Sequence, residues 1–369
     1  MTLGPRHILI SGGGTGGHIF PALAIAEGLK QRLPDAQILF VGAKGRMEMQ
    51  RVPEAGYPIE GLWISGIQRS LNLKNLIFPI KLASSLYKAT RIIRRFKPDL
   101  AVGVGGYASG PLLWAATKAG VPSLIQEQNS YPGITNKLLA KKVQRICVAF
   151  EGMEKWFPPE KIIVTGNPLR TSAIDIAGKK AEALNHFGLT DAQPIVLITG
   201  GSQGARSINE AILNNLTALS RAGLQIIWQC GEAFYPIAKD AIEDGRFTGF
   251  SLMPFIKRMD LAYAAATLVV ARAGAMTMAE LAATGKPSIF VPLPTAAEDH
   301  QTSNAMQLVK ASAAILQPDK TAKENLVNEI ITLANDAEKC TSLSKNISKF
   351  ARIHATDTIV EEALKLIKL

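Results

Sequence analysis

A short apolar run, five glycines in six positions and an Ala-rich run follow one another at residues 8–22, ILISGGGTGGHIFPA. Such a stretch folds as strand, glycine turn and helix. Its glycines let backbone N–H groups approach a ligand closely from a helix N-terminus. The arrangement suits a phosphate, with His18 at its edge. The same device returns near residue 195. There the apolar PIVLIT (194–199) runs into the turn GGSQGA (200–205), and a helix opens near Ser207.

Between these two devices, strand-like and helix-like segments alternate. In the first half, strands are expected at 7–11, 37–41, 62–65, 100–104, 122–126, 147–150 and 162–165. Helices are expected at 19–32, 81–96, 111–119 and 135–140. In the second half, strands are expected at 225–229, 250–252, 268–271 and 288–291. Helices fall at 179–187, 275–283 and 301–311, and about 322–369 reads as helical. Alternation of this kind predicts an α/β chain with parallel sheets covered by helices on both faces. The expected architecture is two Rossmann-like doubly wound domains facing a cleft. The first spans 1–168 and the second 169–345, with a helical segment, 346–369, packing back on the first. A length of 369 residues suits two domains. In open α/β sheets ligands bind beyond the carboxyl ends of the strands. The turns at 12–17, 105–110, 200–205 and 272–275 all stand there.

Composition narrows the class. Residues 1–168 hold 21 Lys and Arg against 10 Asp and Glu, whereas 169–369 hold 20 against 20. The excess of positive charge is therefore confined to the first domain, which is expected to face something anionic. Three distant cysteines without CxxC spacing exclude a zinc ribbon and a disulfide framework. No apolar run reaches the ~18–20 residues of a spanning helix; 261–271 comes nearest and stops at Arg272. With no leader-like N-terminus either, a cytoplasmic protein is expected.

Each motif has a bland reading beside its chemical one. Gly12, Gly14 and Gly17 satisfy GxGxxG, but no acid follows the second strand until Glu48, which disfavours NAD. Lys44 and Arg46 leave NADP marginally open, and the reading here is that no cofactor is used. His18 is either a capping surface histidine or a general base for a hydroxyl. Glu280, in the helix after RAGAMTM, is either a helix-dipole partner or the acceptor for ribose hydroxyls. Glu298-Asp299-His300-Gln301 lacks metal-ligand spacing, and no DxD or HxxxH occurs, so no metal site is expected. A departing diphosphate would then need helix N-terminal amides and a cation, for which 200–205 and Arg170 are suited. Residues 69–97 carry eight Lys and Arg, no acid, and an interleaved apolar cluster. An anionic membrane surface is favoured over a packed helix, and nucleic acid is disfavoured for want of aromatics.

Taken in order, seven stretches resemble the MurG glycosyltransferases: GGGTGGHIFPALAIA (12–26), GVGGYASGP (103–111), EQNSYPGITNK (127–137), GNPLR (166–170), GGSQGAR (200–206), RAGAMTMAELAATGKP (272–287) and EDHQTSNA (298–305). The resemblance implies a GT-B fold and an inverting, metal-independent transfer of N-acetylglucosamine from UDP-GlcNAc to lipid I, making lipid II for peptidoglycan. Another GT-B transferase using a UDP-sugar and a different acceptor is the alternative. It implies His18 as the base, with Thr15, Gly16 and Gly17 bordering the donor sugar and Asn129 and Gln301 hydrogen-bonding it. Arg170 and Ser202 would contact the diphosphate, Glu280 the ribose, and the backbone at Ile256 the uracil. Ala275, Met276, Thr277, Met278 and Ala279 would line the same helix start. Gly13, Gly14, Gly106, Tyr107 and Ser109 are expected to cradle the acceptor's pyrophosphate. Because that acceptor is lipid-anchored, the chain is expected peripherally on the cytoplasmic side of the plasma (inner) membrane.

Overall fold

The apolar runs become parallel strands whose side chains alternate between two cores. In the computed structural model, which describes residues 5–66, 76–243, 247–296 and 299–367, the first sheet has seven strands. These are β1 (His7–Ser11), β2 (Gln37–Ala43), β3 (Ile59–Leu62), β4 (Leu100–Gly103), β5 (Ser123–Glu127), β6 (Arg145–Val148) and β7 (Ile162–Val164). Their order is β3-β2-β1-β4-β5-β6-β7, with every pairing parallel. Ile8 and Ile10 enter one core with Leu29, and Leu9 enters the other with Ile92 and Leu112. A strand covered on both faces must be apolar throughout, which is why these runs show little polar alternation.

The second sheet repeats the plan. It comprises β8 (Ile195–Thr199), β9 (Gln225–Gln229), β10 (Phe250–Met253), β11 (Leu268–Ala271), β12 (Ser288–Phe290) and β13 (Ile315–Leu316). The order is β10-β9-β8-β11-β12-β13, again wholly parallel. Strand order reverses between β1 and β4 in one sheet and between β8 and β11 in the other. The four glycine turns follow those four strands, so they flank the two switch points where doubly wound sheets bind ligands.

Two units divide the chain: one runs through Arg170 and resumes at Ile353, and the other is Thr171–Arg352. Leu169 and Arg170 thus fall in the first unit and 346–352 in the second, shifting both boundaries from 168 and 345. The last helix, Ala355–Leu366, packs on the helix Gly16–Arg32. Val360 sits where a side chain at Gly28 would stand, Glu362 pairs with Arg145 at 3.2 Å, and Thr356 donates to the Leu169 carbonyl at 3.0 Å.

Some expectations are displaced. The third strand runs at Ile59–Leu62 rather than 62–65, because the chain turns extended at Pro58 and pairs Ile59 with Phe40. Short helices at Glu48–Glu54, Leu216–Arg221, Tyr235–Ile242 and Met259–Ala265 carry too little periodicity to be read. The apolar run 261–271 is the end of one such helix followed by β11. The C-terminal helical stretch is three helices, Ala322–Ala334, Ala337–Ser348 and Ala355–Leu366.

Asp260 ties the helix Met259–Ala265 to its surroundings. It accepts from Arg258 at 2.8 and 2.9 Å and from Lys179 at 3.2 Å. The Arg258 hydrogen bonds, with that of Lys179, hold its carboxyl well below the usual carboxylate range. A depressed folded-state value makes this contribution present at neutral pH and lost as pH falls below about 4. Asp260→Asn should therefore lower the urea midpoint of unfolding at pH 7, with the gap to wild type narrowing toward about pH 3.

Candidate active site

In the first unit the turn after β1 is held by its own chain. Ser11 donates to the Val41 carbonyl at 2.8 Å. Glu48, only 1% exposed, reaches back under the turn from the helix that follows β2. Its carboxylate accepts from the N–H of Gly14 at 2.8 Å and of Ala43 at 2.9 Å. A Cβ on Gly13 would stand 2.3 Å from that carboxylate, and one on Gly106 would stand 2.4 Å from the Gly13 carbonyl oxygen. Close passage of two backbones and a buried carboxylate leaves no room for a side chain at Gly13 or Gly106. The Gly14 amide is thus engaged by Glu48 within the turn where the pyrophosphate cradle is expected. Ser109 is buried, with its hydroxyl turned toward Gly103. Tyr107 remains about half exposed, its ring over Gly66.

His18 lies in the first turn of the helix Gly16–Arg32 and is partly exposed. Its Nδ1 is 3.4 Å from the Thr15 hydroxyl. Gly105, at φ +95°, leaves room for the other edge of the ring; a Cβ there would stand 2.8 Å from Nε2. Thr15 and Gly17 are exposed and Gly16 is partly so. Arg170 places its guanidinium 4.8 Å over the Phe20 ring of the same helix.

Asn129 is set by a residue the sequence reading did not single out. Glu127 is buried at the end of β5 and accepts from the Asn129 N–H at 3.0 Å and side-chain amide at 3.4 Å. It also accepts from the Gly133 N–H at 3.0 Å and the Asn136 amide at 2.9 Å. Burial pushes its pKa up, and these hydrogen bonds oppose the shift. Gln126 donates to Asn167 at 3.0 Å, and Gln128 donates to the Val104 carbonyl at 2.7 Å, so the ends of β4, β5 and β7 are tied together. Polar residues closing an apolar strand, SLIQEQN, were the available signal.

In the second unit, Ser202 is partly exposed in the turn after β8. Gly204, at φ +75°, passes over Cys230, whose carbonyl oxygen would lie 2.0 Å from a Cβ there. The Ile256 side chain is core, and its N–H donates to Gln229 at 3.3 Å. On the helix Ala275–Ala283, the Ala275 and Met278 side chains are buried. Helical spacing leaves Met276, Thr277, Ala279 and Glu280 partly exposed. Glu280 accepts from the hydroxyl of Tyr263 at 2.7 Å. Tyr263 is wholly buried; burial, and then the Glu280 charge, push its hydroxyl well above the usual range. The Gln301 carbonyl oxygen accepts from the Leu293 N–H at 2.9 Å, while Glu298 lies outside the described residues.

Arg272 closes the turn after β11. It donates to the Val291 and Pro292 carbonyls at 3.0 and 3.1 Å and to Ser207 at 3.0 Å, and it pairs with Asp319. Arg272, Ser207 and Asp319 border, with Arg206, Leu293 and Thr295, an open cavity of about 370 Å³. Asp319 and Ser207 were not legible as site residues, since their link to Arg272 spans 47 and 65 positions.

Residues 8–148 match the glycosyltransferase family 28 N-terminal domain, and 195–357 match that family's C-terminal domain. The chain belongs to glycosyltransferase family 28. A family relative from Parabacteroides distasonis is 52% identical over 98% of both chains. It is named UDP-N-acetylglucosamine--N-acetylmuramyl-(pentapeptide) pyrophosphoryl-undecaprenol N-acetylglucosamine transferase. A relative of the same name from Cytophaga hutchinsonii is 51% identical over 98% of this chain and 97% of its own. Among solved structures, MurG of Acinetobacter baumannii matches with a TM-score of 0.75 and 31% identity, covering 98% of this chain and all of that one. The two units are the Rossmann-like halves of a GT-B glycosyltransferase. In this family 28 chain, Glu48→Gln would set an amide N–H₂ against the Gly14 or Ala43 donor. It should cost about 1–3 kcal/mol, read as a lower urea unfolding midpoint.

Proposed function

We propose that this chain transfers N-acetylglucosamine from UDP-GlcNAc to the MurNAc 4-hydroxyl of undecaprenyl-pyrophosphoryl-MurNAc-pentapeptide, lipid I, yielding lipid II with inversion and without a metal. The observation that carries this reading is identity of about half over nearly the whole chain with enzymes so named. The glycine turns at both switch points agree with it, since each unit presents them at the edge where doubly wound sheets bind ligands.

In this mechanism His18 takes the proton as the 4-hydroxyl attacks the anomeric carbon and the bond to UDP breaks. Glu280, held by Tyr263, accepts from the ribose hydroxyls. The backbone at Ile256 reads uracil, and the helix start at Ala275, Met276, Thr277, Met278 and Ala279 borders the nucleotide. Ser202 and Arg170 meet the diphosphate, whose charge the turn at 200–205 stabilises as UDP departs. Asn129 and Gln301 hold the donor sugar beside Thr15, Gly16 and Gly17. For the acceptor's pyrophosphate, Gly13, Gly14, Gly106, Tyr107 and Ser109 are the contacts on the first unit.

The first unit would also dock on an anionic membrane surface. No helix among the described residues is long and apolar enough to cross a membrane. The helix Phe78–Phe96 buries Ser85, Ala89, Ile92 and Ile93. It leaves Ile80 62% and Tyr87 72% exposed, with Leu76 and Ile77 exposed just before it. Arg91 and Arg94 stand on the same helix, whereas Lys88 and Arg95 pair with Glu60 of β3. Glu60 therefore offsets part of the positive charge counted in this stretch. Arg69 and Lys74 lie outside the described residues. An apolar patch beside Arg91 and Arg94, which have no ion pair among the described residues, suits the headgroup region of an anionic leaflet and supports a peripheral position on the cytoplasmic side of the plasma membrane.

Incubation with UDP-GlcNAc and a lipid I analogue in EDTA should release UDP; no release overturns the transferase reading, and release that needs added divalent metal overturns the metal-free mechanism. His18→Ala should lower kcat about 10²-fold or more with UDP affinity unchanged, and an unaltered rate removes His18 from catalysis. Vesicle sedimentation should show binding to anionic lipid that weakens with salt and with Ile80→Asp; binding indifferent to all three dismisses the docking surface.

A further inference from the structure

Gln229 ends β9, and the sheet register sets it beside Thr199 of β8 on one side and Met253 of β10 on the other. Each neighbouring strand runs directly into a loop that the donor reading uses. After Thr199 comes the turn bearing Ser202, and after Met253 comes the loop bearing Ile256. The Gln229 side chain spans both. Its Nε2 donates to the Gly201 carbonyl at 2.8 Å, and its Oε1 accepts from the Ile256 N–H at 3.3 Å. With the residue only 3% exposed, neither bond is readily exchanged for one to water.

The two contacts have opposite polarity, so a carboxamide fits where a carboxylate or an alkyl chain does not. The amide donates on the phosphate side and accepts on the base side. The backbone beneath it is fixed as well. Cys230 and Gly231 donate to the Met253 and Pro254 carbonyls, each at 3.1 Å. Asn209 donates to the Cys230 carbonyl at 2.7 Å and accepts from the Trp228 indole at 3.1 Å. Gln229 therefore stands on a rigid strand end and reaches two loops that come from different strands.

We propose that Gln229 is a positioning residue for the donor nucleotide, fixing the spacing between the phosphate turn at 200–204 and the base-reading loop at 254–256. The inference rests on the donor-site reading given above. A nucleoside diphosphate gripped at both ends gains from each contact only if their separation matches its own length. A side chain bonded to both loops sets that separation before the ligand arrives.

Two substitutions test this. Gln229→Met keeps the length and removes both hydrogen bonds. It should raise KM for UDP-GlcNAc and Kd for UDP about 10-fold, leaving kcat within about threefold. Gln229→Glu accepts from Ile256 but, when ionised, sets an oxygen against the Gly201 carbonyl; when protonated, its O–H replaces the lost donor. Its KM should therefore fall toward the wild-type value as pH is lowered from about 8 to about 5.5, since burial raises the carboxyl pKa. Gln229→Met should show no such recovery relative to wild type. The pH-dependent rescue distinguishes positioning from a general loss of folding, which acid would not repair. KM and Kd within twofold of wild type in Gln229→Met, or a fall in kcat with KM unchanged, overturns the inference. If the wild-type chain does not bind UDP, the donor-site reading falls and takes this inference with it. Tight wild-type binding unaffected by Gln229→Met overturns this inference alone.

Discussion

At the switch point of the first sheet, and between the turns after β8 and β9 in the second, two backbones pass closer than a side chain would allow, and the geometry of both strand edges follows from that passage. In the first unit Gly106 crosses Gly13, with the Glu48 carboxylate beneath. In the second, Gly204 crosses Cys230, and Gly231 lies against Gln203. A methyl group at any of these crossings would force the turn outward and move the residue it presents. His18 is seated on Gly105 in the first unit, and Ser202 stands in the crossed turn of the second. The chain's own packing requires glycine at these crossings.

That requirement marks where sequence reasoning succeeds and where it stops. Apolar runs ending in glycine turns were sufficient for the two doubly wound sheets, and β1, β9, β11 and the helix Ala275–Ala283 have the boundaries their residues suggested. Five glycines together read as a phosphate loop because a sequence shows that backbone can approach closely but not what it approaches. Glu48 illustrates the difficulty. It was noted only as an acid too late to hold a ribose, yet the helix after β2 carries it back beneath the turn. Tyr263, Glu127 and Gln229 were equally silent, each lying in an apolar element with partners supplied by the fold. Their common signal, a polar group at the end of an apolar strand or within an apolar helix, becomes informative once the sheet order is known.

Membership of family 28 gives the chemistry, and the two units divide its parts. The proposed donor contacts fall mainly on the second unit, at the ends of β8, β10 and β11, where buried partners hold Glu280 and Ile256. His18 and the exposed apolar residues around the helix Phe78–Phe96 belong to the first. The positive charge follows the same division, in keeping with an acceptor that stays anchored in an anionic bilayer while the donor arrives from solution.

The claim on which this account turns is that the strand ends of the second unit hold the nucleotide. Backbone hydrogen exchange with and without UDP tests it directly. The account predicts slowed exchange at 200–206, 229–231, 254–257 and 275–280, with 12–17 unchanged. Slowed exchange confined to 12–17, with those second-unit segments unaltered, would contradict it.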